Sequence, residues 1–212
     1  MATVIYGCGG HARSIINTIC MNDKDAQIIP VDGNAGMDER ILGFLAKSSY
    51  ELKPEDCYIV AVGDNARRRA LFEKRQEAQT GKSIAVVSRF ANVGMETKIE
   101  TGTFVAPSAS IGPQARIGFN SIINTGSVIE HETVIGNHTH IAPRAVICGR
   151  SEIGNLVFCG AGSTVIDGIR ICDHVIVGAG AVVIHDITEP GVYAGIPARK
   201  IKDHQNAGEA VQ

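Results

Sequence analysis

A small parallel α/β domain running into a three-sided parallel β-solenoid is the fold that this chain of 212 residues predicts. Three observations carry it. From Val93 to Val183 an aliphatic residue returns at every sixth position without insertion or deletion; fifteen of the sixteen are Val or Ile, and Cys159 is the exception. The next residue is repeatedly glycine (Gly94, Gly112, Gly118, Gly136, Gly154, Gly160, Gly178), and two places before the following aliphatic stands a small or β-branched residue such as Thr103, Ala115 or Ser127. Ahead of the repeat, three short apolar runs each end in a turn sequence, the first in Gly7-Cys8-Gly9-Gly10. A six-residue period fits neither an amphipathic helix nor an alternating strand. Sustained over this length, it marks a solenoid of short strands, with glycine at corners that need a positive φ or close backbone approach.

The elements follow in order. Ala2–Tyr6 reads as a buried strand, Gly7 to Ala12 as a glycine turn, and Arg13–Met21 as a helix. Strand, glycine turn and helix together aim free backbone N–H groups at a phosphate. A second strand, Gln27–Val31, ends in Asp32, the acidic position that holds a ribose hydroxyl in nucleotide-binding units. A third, Cys57–Val62, runs into Gly63-Asp64-Asn65, a basic helix follows from Ala66 to about Ala78, and Ser83–Val87 is a last strand. A full dinucleotide fold needs a second mononucleotide half, whereas here the chain turns into the solenoid, so one nucleotide or a nucleotide-sugar fits better than NAD. The expected division is residues 1–87 for the α/β domain, 88–202 for the solenoid with its closing segment, and 203–212 for a polar tail. Eighteen residues make one coil, with three faces around a thin aliphatic column, in a prism ~25 Å tall at strand spacings of ~4.8 Å.

Composition excludes several classes. A net charge of −2, with no Lys/Arg cluster beyond Arg67-Arg68-Arg69, argues against a nucleic-acid binder. Six cysteines without a CxxC pair read as reduced thiols in a cytoplasmic protein. No basic stretch precedes a long apolar run, so neither a signal peptide nor a membrane span is expected.

The sixfold repeat resembles the left-handed β-helix of hexapeptide-repeat acyltransferases. With G-x-G-G-H at residues 7–11, Val31-Asp32, and Val60-Ala61-Val62-Gly63-Asp64-Asn65 followed by arginines, nearly the whole chain is similar to the sugar O-/N-acyltransferase family. That family joins a Rossmann-like domain to such a helix, and includes sialic acid O-acetyltransferases and N-acetyltransferases of 4-amino-sugar nucleotides. The resemblance implies acetyl-CoA as co-substrate without a metal, a homotrimer with coenzyme A in the clefts, and acetylation of the 4-amino group of a nucleotide-linked 4-amino-4,6-dideoxy sugar. Surface polysaccharide or lipopolysaccharide biosynthesis is the implied setting; O-acetylation of a sugar such as sialic acid is the nearest alternative, and a zinc lyase of the carbonic anhydrase type or a non-catalytic nucleotide-sugar-binding scaffold the more distant ones. It also implies nucleotide contacts by Gly9, Gly10, His11, Asp32 and Gly63, although Gly33 stands where some relatives carry a second acidic residue.

Within the solenoid, His131 lies two places past an inward aliphatic, at a corner, with Pro113 one coil back and Gly149 one coil on. A histidine above a glycine has room beside it for a substrate and a backbone N–H in reach. Acyl transfer from a thioester to an amine needs a base of near-neutral pKa, and a carboxylate on the second ring nitrogen, Glu130 or Glu132, fixes its tautomer. The bland reading of His131 is a solvated corner residue; the family's His-Glu pair maps onto His131 and Glu132. Gly149 is the expected oxyanion donor. By resemblance Asn124 borders the substrate and His140 the acetyl-CoA, while His138 reads as a surface residue. Zinc-dependent left-handed β-helices use an H-x4-H pair with a third histidine, whereas the spacings here are H-x6-H and H-x-H. Gly160, Ala161, Gly178 and Ala179 leave a lane for a pantetheine arm. The closing Gly191-Val192-Tyr193-Ala194-Gly195-Ile196-Pro197-Ala198 resembles the family's coenzyme A-contacting segment, Pro197 included.

Overall fold

The computed structural model describes residues 1–203. The polar tail expected from 203 onward lies, past Asp203, outside the described residues. The α/β domain contains β1 (Thr3–Tyr6), α1 (Gly10–Asn22), β2 (Ile28–Val31), a short antiparallel ribbon of β3 (Arg40–Ile41) and β4 (Phe44–Leu45), β5 (Cys57–Val60), α2 (Asn65–Glu77) and β6 (Lys82–Ser83). Its sheet is parallel, in the order β2-β1-β5-β6. Helix α1 starts at Gly10, three residues earlier than expected, and Gly9 caps it without a side chain. At α2 the Asp64 carboxylate accepts from the Arg67 N–H at 2.8 Å, an ordinary cap for free helix N–H groups. The strand expected over Ser83–Val87 is two strands. Lys82–Ser83 closes the α/β sheet, and Val86–Val87 pairs with Phe104–Val105 as the first rung of the solenoid.

Three parallel sheets form the solenoid, each strand pairing with the one eighteen residues on until the last coil, where Val175 meets Gly191. Ile111, Ile123, Ile129, Ile141 and Ile147 point inward and are fully buried, each worth ~1.5–3 kcal/mol of hydrophobic stabilisation. The glycine after the aliphatic serves close approach. A Cβ on Gly112 would lie 2.6 Å from the His131 backbone nitrogen, and one on Gly136 2.5 Å from the Gly154 carbonyl carbon. Positive φ falls instead on the third residue after each aliphatic, from Glu96 (φ 60) through Gln114 (61), Glu132 (58) and Arg150 (57) to Gly180 (66). A non-glycine residue there costs ~1–2 kcal/mol, offset by a bond to the preceding coil, such as Glu132 N–H to Pro113 O at 3.0 Å.

The outward positions differ between faces, and that decides where the α/β domain sits. On the first face they are Val86, Phe104, Ile122, His140, Phe158 and Ile176. Phe104 and Ile122 are buried in one core with Ile5, Ala12, Ile15 and Ile16. On the second face the outward residues are Asn92, Ser110, Val128, Val146, Thr164 and Val182, and on the third Lys98, Arg116, Val134, Glu152 and Arg170. The first face therefore carries the α/β domain. At the far end Gly191–Ala194 pairs with Val175–Val177 and Arg199–Lys202 folds back antiparallel on it, extending the first face beyond the last coil.

Candidate active site

The predicted residues form two groups. The first surrounds the glycine turn on the solenoid's first face. A Cβ added to Gly9, Gly10, Gly33 or Gly63 meets nothing within 4 Å, so these backbones border open space. Asp32 draws the turn inward, accepting from Cys8 N–H at 3.2 Å and Asn34 N–H at 3.1 Å. His11 stands edge-on to Phe104, ring centroids 5.3 Å apart, and its Nε2 has no hydrogen-bond partner among the described residues. His140 points out of the first face toward this group, bonded to Asn124 at 3.1 Å and edge-on to Phe158.

The second group lies at the corner between the second and third faces, the corner opposite the first face. His131 Nδ1 is 3.1 Å from Glu132 Oε2, a contact that favours the tautomer with its proton on Nδ1 and the Nε2 lone pair free. Glu130 makes no such bond. A Cβ on Gly149 would fall 2.6 Å from His131 Cε1 and 2.7 Å from Nε2, so only glycine leaves the ring its place. The Gly149 N–H makes no hydrogen bond among the described residues. Beside the corner runs a groove of about 720 Å³ lined by Glu96, Lys98, Gln114, Arg116, Glu132 and Val134. Ala161 and Ala179 are exposed at the corner between the first and second faces, with Gly160 buried beneath Ala179, Gly178 under Ala194, and Pro197 exposed in the closing segment.

His138 corrects the surface reading. It is half-buried under α2, where its Nδ1 meets Asn120 Nδ2 at 2.9 Å and its ring stands edge-on to Phe72. Sequence reasoning also missed a cavity of about 530 Å³ between the start of α2 and the first face, lined by Asn65, Ala66, Arg69, Phe158 and Ile176 among others. The outward aromatic and aliphatic residues at Phe158 and Ile176 were its available signal. His131, His138 and His140 turn to different partners, and among the described residues no group of three or more His, Cys, Asp or Glu could hold a metal ion. All six cysteines are unpaired.

Burial, foremost, holds three imidazoles neutral. His11 is lowered to about 3, with His140 and Arg68 adding to the effect, and His138 and His140 are each lowered to about 4, with the Arg68 charge next in weight. In the unfolded chain these groups titrate near 6.5. Below that pH the unfolded state binds more protons, so their contribution to stability is present above pH 6.5 and is lost as pH falls toward 4. A melting series should show Tm falling across that window, and His138→Gln should remove part of the slope. A Tm constant from pH 7 to 4.5 contradicts the buried neutral set.

Two family models match the chain: the PglD N-terminal domain at residues 3–75, and the bacterial transferase hexapeptide (six repeats) at residues 114–149. Among solved structures, the acetyltransferase domain of PglB from Neisseria gonorrhoeae is 25% identical with a TM-score of 0.87, covering 94% of this chain and 99% of that one. PerB from Caulobacter crescentus, in complex with CoA and GDP-perosamine, is 29% identical with a TM-score of 0.82, covering 94% and 97%. WeeI from Acinetobacter baumannii, at 22% identity and a TM-score of 0.87, shares the fold. The solenoid is accordingly the left-handed β-helix of such acetyltransferases.

Proposed function

We propose a substrate and a chemical step for this hexapeptide-repeat sugar acyltransferase: acetyl transfer from acetyl-CoA to the 4-amino group of a nucleotide-linked 4-amino-4,6-dideoxy sugar. The observation that carries the step is the His131–Glu132 pair set against Gly149. His131 Nε2 takes the proton of the attacking amine as its nitrogen bonds to the thioester carbonyl carbon. The oxyanion is met by the Gly149 N–H, and collapse expels the coenzyme A thiolate, which recovers the proton from the imidazolium. No acyl-enzyme is invoked, so transfer is direct within a ternary complex.

The open backbone at Gly9 and Gly10 of the glycine turn and at Gly63 after β5, with Asp32 and His11, supports a nucleotide site. Solved structures of PerB and of a mutant perosamine N-acetyltransferase, both from Caulobacter crescentus, hold CoA and GDP-perosamine. Asn124 and His140 border the sugar and donor from the first face, and the lane of Gly160, Ala161, Gly178, Ala179 and Pro197 takes the pantetheine arm. His131 lies at the corner opposite the face that carries the glycine turn, so on this reading a site joining both takes a second copy. A homotrimer supplies it, and the partly exposed Val128, Val146 and Val182 on the second face give the copies an apolar stripe to meet on. Thiol release from acetyl-CoA with a panel of nucleotide 4-amino sugars tests the reading. Release with a free sialic acid and with no nucleotide amino sugar would turn it to O-acetylation.

A further inference from the structure

Arg68 is 1% exposed and lies where α2, the turn after β5 and two solenoid corners meet. Nε donates to Asn120 O at 2.8 Å, Nη1 to Val62 O and Gly63 O at 3.2 Å each, and Nη2 to Asn65 Oδ1 at 2.7 Å and His138 O at 2.8 Å. Asn120 answers with its Nδ2 on Arg68 O at 3.3 Å and on the His138 ring. Asp64 is the charge that tempers this buried cation, and burial draws its pKa down to about 9.

A joint that only had to hold two domains together would be served as well by an apolar side chain of similar volume, since a buried charge carries a desolvation cost that packing does not. A guanidinium adds direction. Its planar fork fixes the angle between every acceptor that it reaches. Those acceptors include both carbonyls of the Val62-Gly63 turn, the backbone that borders the open space by the glycine turn. We infer that Arg68 is a positioning residue for the proposed reaction: it fixes the Val62-Gly63 turn against the corners at Asn120 and His138, and so sets where the nucleotide-linked sugar is held. The inference rests on reading the α/β domain as the nucleotide-sugar site.

Steady-state kinetics of full-length Arg68→Met and Arg68→Lys test it. Losing hydrogen bonds to a charged group, Arg68→Met raises KM for the nucleotide amino sugar by about tenfold or more, while KM for acetyl-CoA moves by less than about twofold and melting stays cooperative. Arg68→Lys, which keeps the charge without the fork, shows the same selective rise, smaller in size. Equal shifts in both KM values, or none, in a folded variant overturn the inference, and so does failure of both variants to fold. If the unaltered enzyme acetylates no nucleotide amino sugar, the functional reading fails instead. Calorimetric titration of the same variants with nucleoside diphosphates then decides Arg68 separately: weakened binding supports it, and unchanged binding overturns it.

Discussion

His131→Ala lowers kcat by about 10²–10⁴-fold, the range that a positioned general base contributes, while both KM values change little. The imidazole is partly exposed at its corner, with 42% of the side chain open, so its removal leaves the aliphatic column and the coil hydrogen bonds in place. Melting should therefore match the parent, which separates lost chemistry from lost fold. Glu132→Gln is the companion. It keeps a hydrogen-bonding side chain at the φ 58 corner but removes the carboxylate that holds the proton on Nδ1, so kcat falls by less than in His131→Ala and the pH–rate profile shifts. Undiminished turnover in His131→Ala removes the residue as base.

Gly149→Ala has the second large effect, and it acts on the same ring from the other side. The backbone at Gly149 accepts alanine without strain, because its φ lies outside the left-handed region. The added methyl, however, would lie 2.6 Å from His131 Cε1, closer than real Cβ contacts come. The ring must turn away, and a misplacement near 1 Å at a reacting atom costs on the order of 10²-fold in rate. Steady-state assays should show that loss in kcat with Tm within a few degrees of the parent. A fully active Gly149→Ala would mean that the imidazole does not work from the position described.

The repeat made the solenoid legible because one aliphatic every sixth place has few other physical readings, and it placed His131 over Gly149 by counting eighteen. What counting left open was the outward side. Phe104, Ile122, Phe158 and Ile176 alternate with inward residues and differ from the Lys98, Arg116, Glu152 series, so the docking face was written in the chain, but only a comparison between faces discloses it. His138 was misplaced for a related reason. Its position after Ile135 gave the corner, while the helix that covers it comes from residues about seventy positions earlier, as the Arg68–His138 bond shows. The start of α1 at Gly10 was hidden because glycine disfavours helix interiors, although a free helix N-terminus tolerates it. Glycine's two uses, positive φ and close approach, were separable only once the neighbouring coil was seen.

The corner that carries His131 returns at Gly149, Asp167 and His185 before the closing ribbon begins. Each return advances along the prism axis by one rung, ~4.8 Å. Gaining or losing one or two hexapeptides would rotate every later corner onto a different face, whereas the last coil, two residues short, keeps its faces in line, so the span from the imidazole to the end of the prism is graduated in coils. A lineage that needed a longer or shorter reach from this imidazole to the end of the prism would have to gain or lose about eighteen residues at a stroke, or reshape the ribbon and leave the ruler alone.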